Sequence, residues 1–287
     1  MIYLGGGIVM RLVLTAVAAA LVTTACGAQV HGSAAPAGGT SKSPAPAAFR
    51  GPSWTEYLDT QPGRTCTLKN PSPATAGNVD TRLTQTVVST ATRPSGEVVN
   101  YRIATSATVP GGGVPPIRSA LKVPYEVLRT GQLGVTPDAY ALGGGLALTF
   151  RGFEIYPTVA ELQAGRSQRS GLTGLLRGAT ATARHQVQQL TTSGDVLKFR
   201  MSFIISAAPP RASIVTASGT YRDLVGVKVA FSKMTLLNGS QQAKQAFSAT
   251  SGLGKAFGNS LLYFSRGTGL VQGTSAGTEE QLTGCRG

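Results

Sequence analysis

Apolar residues recur at every second position along several stretches of the chain. From Val196 to Ala207, Leu197, Phe199, Met201, Phe203 and Ile205 alternate with Lys198, Arg200, Ser202, Ile204 and Ser206. A period of two over most of the run predicts a strand with one packed face and one mostly wet face. Val98 to Val109 repeats the pattern, with Val99, Tyr101, Ile103 and Ala107 set against Asn100, Arg102 and Ser106. Further strands are expected at Leu83 to Ala91, Leu146 to Phe150, Ser213 to Ala217, Val225 to Phe231 and Leu261 to Phe264. Glycine and Asn-Gly signals punctuate them, among them Gly111-Gly112-Gly113, Gly143-Gly144-Gly145 and Asn238-Gly239. Helical signals are few. Thr158 and Glu161 have the spacing of a capping box, Pro157 precedes them and Gly165 is placed to stop the helix. A second helix is expected from Ser240 to about Ser251, and a single turn over Thr278 to Thr283.

One segment echoes another. Ser95-Gly96-Glu97-Val98-Val99-Asn100-Tyr101-Arg102-Ile103 returns 98 residues later as Ser193-Gly194-Asp195-Val196-Leu197-Lys198-Phe199-Arg200-Met201, with four identical and four conservative positions. A period of that size fits an immunoglobulin-like sandwich. The expected fold is therefore all-β, an antiparallel β-sandwich built of two tandem or intertwined halves with a few short helices. The first half would run over residues 61–165 and the second over 166–287.

The start of the chain has a different pattern. Arg11 precedes an apolar run, Leu12 to Val22, which closes on Thr23-Thr24-Ala25-Cys26-Gly27. A positive region, an apolar region and a small-residue cleavage site make a signal peptide over residues 1–26. About 13 apolar or small residues fall short of the ~20 that a membrane-spanning helix needs. The glycines Gly5-Gly6-Gly7 ahead of Met10 suggest that synthesis starts at Met10. Val22, Thr24, Ala25, Cys26 and Gly27 resemble the lipobox of bacterial lipoproteins, although Thr23 departs from the Leu or Val usual at its position. The resemblance implies that Cys26 is diacylated and becomes the N-terminus of a chain held at the outer face of the cell membrane. Residues 27–60 then read as a flexible tether rich in Ala, Gly, Ser and Pro, with a reach of roughly 27 Å for its first ~25 residues. At the tether's end, Trp54, Tyr57 and Leu58 are expected to pack on the fold.

Cysteine parity agrees with this reading. An exported chain is not expected to leave an odd thiol, and this one has three cysteines, Cys26, Cys66 and Cys285. With Cys26 spent on lipid, Cys66 and Cys285 are free to form a disulfide in an oxidising space. That bridge requires either two domains folded back side by side or two halves contributing strands to one closed sandwich or barrel.

Charge is uneven along the chain. The net charge is +14, and from Leu162 to Gly287 there are 14 Lys or Arg against four acids. Arg166, Arg169, Arg177, Arg184, Lys198 and Arg200 are the candidate binding residues for an anionic lipid or wall polymer. Export makes nucleic acid a poor partner. Alanine- and arginine-rich usage resembles that of a GC-rich actinobacterial genome.

Catalytic signals are weak. Gly273-Thr274-Ser275-Ala276-Gly277 fits the nucleophile-elbow pattern, but no histidine follows Ser275, and an elbow needs a strand-to-helix turn. Ser119-Ala120-Leu121-Lys122 imitates the Ser-x-x-Lys of penicillin-binding enzymes, but Pro115-Pro116 and Pro124 bracket it as loop or edge strand. The only histidines are His31 and His185, too few for a histidine metal cluster, and no cofactor is called for. Carboxylate pairs such as Asp138 with Glu154, or Asp80 with Glu97, stay open. The leading expectation is a non-enzymatic envelope lipoprotein with a basic binding half. Its rivals are a lipid or glycolipid carrier similar to the lipoproteins of mycobacterial envelopes, and a carboxylate hydrolase.

Overall fold

The computed structural model describes residues 51–71, 80–108, 117–135, 140–143, 146–151, 154–177, 196–238, 259–275 and 278–287. Among the described residues the strands are β1 (Thr65–Lys69), β2 (Asp80–Arg93), β3 (Gly96–Thr108), β4 (Ile117–Leu128), β5 (Leu133–Val135), β6 (Tyr140–Gly143), β7 (Leu146–Arg151), β8 (Glu154–Tyr156), β9 (Gln168–Arg177), β10 (Val196–Ala207), β11 (Ile214–Thr216), β12 (Gly219–Tyr221), β13 (Leu224–Leu236), β14 (Asn259–Ser265), β15 (Gly269–Ser275) and β16 (Thr278–Arg286). A 3-10 turn over Trp54–Glu56 and one short helix, α1 (Val159–Gln163), complete the described elements.

Fourteen strands form one antiparallel sheet in the order β6-β7-β9-β10-β13-β14-β15-β16-β1-β2-β3-β4-β5-β8, and β11 pairs with β12 as a separate hairpin. The all-β antiparallel architecture expected from the period-two pattern is thus what the chain forms. Both halves contribute strands to the same sheet, one of the two arrangements that the cysteine pair allowed. They meet where β16 pairs with β1, with Cys66 and Cys285 facing each other in that register, and again where β7 pairs with β9.

The sheet curls until its ends nearly meet. Trp54 packs edge-on against Tyr156 of β8 at 6.3 Å and Phe264 of β14 at 5.5 Å. Those strands lie eight places apart in the sheet order, which in a flat sheet would separate them by about 38 Å at ~4.8 Å per strand. On the far side, the Ile155 N–H of β8 donates to Ser170 Oγ of β9 at 2.9 Å. Gln132 Nε2 donates to Gln168 Oε1 at 3.0 Å beside it. β7 takes the edge of β9 only from Thr173 to Arg177, so β8 comes alongside the part left free. The result is one nearly closed barrel with a single buried core running through both halves.

Local chemistry explains most elements. The alternating residues of β3 bury Val99, Tyr101 and Ile103, and those of β10 bury Phe199, Met201, Phe203 and Ile205. In the echo, Tyr101 corresponds to Phe199 and Ile103 to Met201, and all four are buried. Gly96 opens β3 where a side chain would strike the Val127 carbonyl, at 2.0 Å for its first carbon. α1 has the predicted capping box, with Thr158 and Glu161 bonded reciprocally. Gly165, at φ +72°, ends it as expected.

Two expectations are corrected. The tether does not extend to residue 60: Ser53 caps the 3-10 turn, Trp54, Tyr57 and Leu58 are buried, and the segment 51–60 belongs to the core. Thr278 to Thr283 is strand rather than a helical turn, because both neighbours, β15 and β1, are in register to hydrogen-bond it. The Ser119 segment, expected as loop or edge strand, is an edge strand in β4. β3 pairs along its length, but β5 covers only Tyr125 to Val127 on the other side, and Pro124 stands just beyond that overlap. The expected helix from Ser240 to Ser251 lies outside the described residues.

Candidate functional site

Two surfaces carry chemistry. The first is the outward face of β9, β10 and β13. Opposed residues in an antiparallel ladder point to the same face, so register assigns the rows. Lys198 lies opposite Leu175, and Arg200 lies between Thr173 and Thr235. Ser202 lies between Gly171 and Lys233, Ile204 between Arg169 and Ala230, and Ser206 opposite Lys228. Arg169, Lys198, Arg200, Ile204 and Lys233 are exposed and Lys228 is half-buried. The three strands contain no Asp or Glu. Five cations therefore share one open face without a countercharge on their own strands. Alternation made Lys198 and Arg200 legible, whereas Lys228 and Lys233 join them only through the pairing of β13.

Of the other predicted residues, Arg177 alone among the described ones continues the alternation of this face. Arg166 sits after α1, 3.9 Å from Glu161, outside the strand face. Arg177 occupies the register position opposite Val196 and Ala147 at the end of β9. Arg184 and Cys26 lie outside the described residues. Cys66 and Cys285 form the expected disulfide, with an S–S distance of 2.03 Å.

The second surface is inside. Val99, Tyr125, Val135 and Glu154 occupy one row across β3, β4, β5 and β8. Glu154 is buried beside Tyr156, and burial pushes its carboxyl up to about 8, with the Tyr156 hydrogen bond opposing the shift. Burial first and the Glu154 charge second raise the Tyr125 phenol. Tyr101 packs edge-on against Tyr125 at 4.9 Å and donates its hydroxyl hydrogen to the Asp59 carbonyl. The Asp59 carboxylate, raised by burial, lies 3.4 Å from Arg64 and 3.6 Å from Cys66 Sγ. Trp54 closes the group, its indole N–H donating to the Pro157 carbonyl at 2.9 Å. Thr55, Thr60, Thr90, Thr92, Glu97, Val98 and Val99 line an open cleft of about 450 Å³.

This arrangement holds protons and fixes a wall, but it brings no nucleophile to an acid–base pair. Ser275 ends β15 in an antiparallel sheet, and Ser119 and Lys122 pair with Thr105 and Arg102 along β4. Asp80 and Glu97 stand at opposite ends of the β2–β3 hairpin. Asp138 and His185 lie outside the described residues. No group of His, Cys, Asp or Glu with metal-binding geometry occurs among the described residues. No described helix is long and apolar enough to cross a membrane.

No family model matches the chain. No curated protein matches it either. Two solved structures are similar in outline. One, from Bacteroides fragilis, is provisionally described as an exported protein with a YmcC-like fold; it is 10% identical, with 80% of this chain and 99% of that chain covered at a TM-score of 0.41. The other, from Parabacteroides distasonis, is provisionally described as a lipoprotein; it is 13% identical, with 80% and 98% covered at a TM-score of 0.44.

Proposed function

We propose that the protein is a bacterial envelope lipoprotein, anchored through lipid on Cys26, whose barrel is a non-enzymatic module that binds an anionic envelope component. The observation that carries this reading is the outward face of β9, β10 and β13, with Arg169, Lys198, Arg200, Lys228 and Lys233 and no acidic residue in the three strands. An extended one-signed face attracts a polyanionic partner without a shaped pocket, at about 1 kcal/mol per cation next to an anionic surface. The lipobox-like Thr24-Ala25-Cys26-Gly27 and the pairing of the two remaining cysteines support the anchor.

The reading is tested on the chain from Gly27 to Gly287, which carries every described residue. Its binding to an anionic polymer should weaken steeply as salt rises through the range where the Debye length falls from about 10 Å to about 3 Å. Binding indifferent to salt would sink the basic-face argument. For the anchor, Cys26→Ser should move the protein out of the membrane fraction, and full retention of the variant would exclude lipid on Cys26.

A further inference from the structure

We infer that the outward face of β9, β10 and β13 docks on an anionic phospholipid surface, its cations meeting headgroup phosphates while Ile204 and Leu237 enter the interface between headgroups and acyl chains. This rests on the reading above that the face binds an anionic component, and it names the component.

The argument starts from what the cations leave unexplained. Four large apolar residues among the described ones are exposed, Val88, Ile204, Val215 and Leu237. Two of the four belong to this face. Ile204 is 39% exposed on β10, in the row of Arg169. Leu237 is 43% exposed just past the end of β13, and its N–H donates to the Lys198 carbonyl at 2.7 Å. Its neighbour Leu236 faces inward with Phe199, so Leu237 takes the outward side with Lys198.

The two apolar side chains therefore mark the ends of a strip about 20 Å long, six residues of β10 at ~3.3 Å each. Arg200 and Lys233 occupy the rows between them. A soluble polyanion would reward the cations and gain nothing from Ile204 or Leu237. A bilayer surface with anionic headgroups rewards both, since apolar side chains enter the interface while adjacent Lys and Arg stay among the phosphates. Single exposed apolar residues are ordinary on a protein surface. Two that bracket cations on an acid-free sheet face are the composition of an interfacial surface. An anchor on Cys26 with a flexible tether would keep this face within reach of the membrane that holds it.

The experiment compares co-sedimentation of the Gly27–Gly287 chain with vesicles of phosphatidylglycerol and phosphatidylcholine, with vesicles of phosphatidylcholine alone, and binding to soluble polyphosphate. Binding to the anionic vesicles is expected, with little to the neutral ones. Arg200→Glu with Lys233→Glu should weaken vesicle binding by about tenfold or more. Ile204→Ser with Leu237→Ser should weaken vesicle binding by about fivefold while leaving polyphosphate binding unchanged. Unfolding curves that match the parent protein show that these surface variants stay folded. If the serine pair binds vesicles as well as the parent does, or polyphosphate is bound and anionic vesicles are not, the lipid inference is overturned and the anionic reading stands. If neither anionic vesicles nor polyphosphate is bound, both fall.

Discussion

β3 and β10 are built on the same alternation, and they line opposite kinds of wall. β10 turns Phe199, Met201, Phe203 and Ile205 inward, and β13 beside it adds Val225, Val227 and Val229. That wall is apolar throughout. β3 turns Val99, Tyr101 and Ile103 inward, its neighbour β4 adds Tyr125, and β8, two strands beyond β4, adds Glu154 and Tyr156. On the outer side the polarity differs again, with the acid-free basic face on β9, β10 and β13. A period of two decides which positions are buried, but not what burial costs there. The apolar wall needs only close packing. The phenolic wall must also pair its buried polar groups: Tyr156 hydrogen-bonds the Glu154 carboxyl, and the segment 51–60 and the connection before α1 contribute further bonds. Tyr101 reaches the Asp59 carbonyl, and the Trp54 indole reaches the Pro157 carbonyl.

The largest test of that contrast removes the residue that spans the interior. Trp54 is fully buried and meets β8 on one side and β14 on the other. Trp54→Ala should destabilise the protein by about 3–5 kcal/mol, as for other fully buried large aromatic residues cut back to alanine. Urea unfolding followed by far-UV circular dichroism measures it. A loss below about 1 kcal/mol would mean that the 51–60 segment decorates the barrel instead of holding its walls together.

Next comes the apolar wall alone. Met201 is fully buried between β9 and β13, so Met201→Ala should cost about 2–5 kcal/mol. Since no ionisable group is involved, the loss should be the same at every pH at which the protein unfolds reversibly. A loss that changes with pH would show that the two walls are coupled.

Much of this contrast was legible in the chain and some of it was not. The strands from Val196 and from Val98 follow directly from alternation, and the helix after Pro157 from its Thr158–Glu161 box. Parity of the cysteines singled out Cys66 and Cys285, and the strand register then places them opposite each other. The phenolic wall was hidden because it is assembled across strands distant in sequence. Val99, Tyr125, Val135 and Glu154 form a row only after three pairings are made, two of them through β5, a strand of three residues too short to show a period. Glu154 in particular looks like any surface carboxylate in Gly152-Phe153-Glu154-Ile155-Tyr156. Thr278 to Thr283 was misleading for a related reason: a polar stretch carrying Glu279, Glu280 and Gln281 has weak strand preference of its own, and its strand state is imposed by β15 and β1.

Glu154 gives the pH-dependent separation of the two walls, because its effect is absent at low pH. Its carboxyl titrates near 4.5 when exposed and is pushed up to about 8 in the fold. Between those values the folded protein keeps a proton that the unfolded chain has released. Unfolding then releases a proton, and rising pH favours the unfolded state. The contribution of Glu154 to stability should therefore fall from about pH 4.5 to about pH 8 and level off above. Glu154→Gln keeps the shape and the neutral state, so its stability relative to the parent should be near zero at the low end and rise toward pH 8. Asp59 and Glu280 are also raised by burial and slope in the same direction, but both are present in parent and variant, and the difference between the two isolates Glu154. Parallel stability profiles for parent and Glu154→Gln across this range would show that the carboxyl is ionised in the fold, and the phenolic wall would then have to hold a charge rather than a proton.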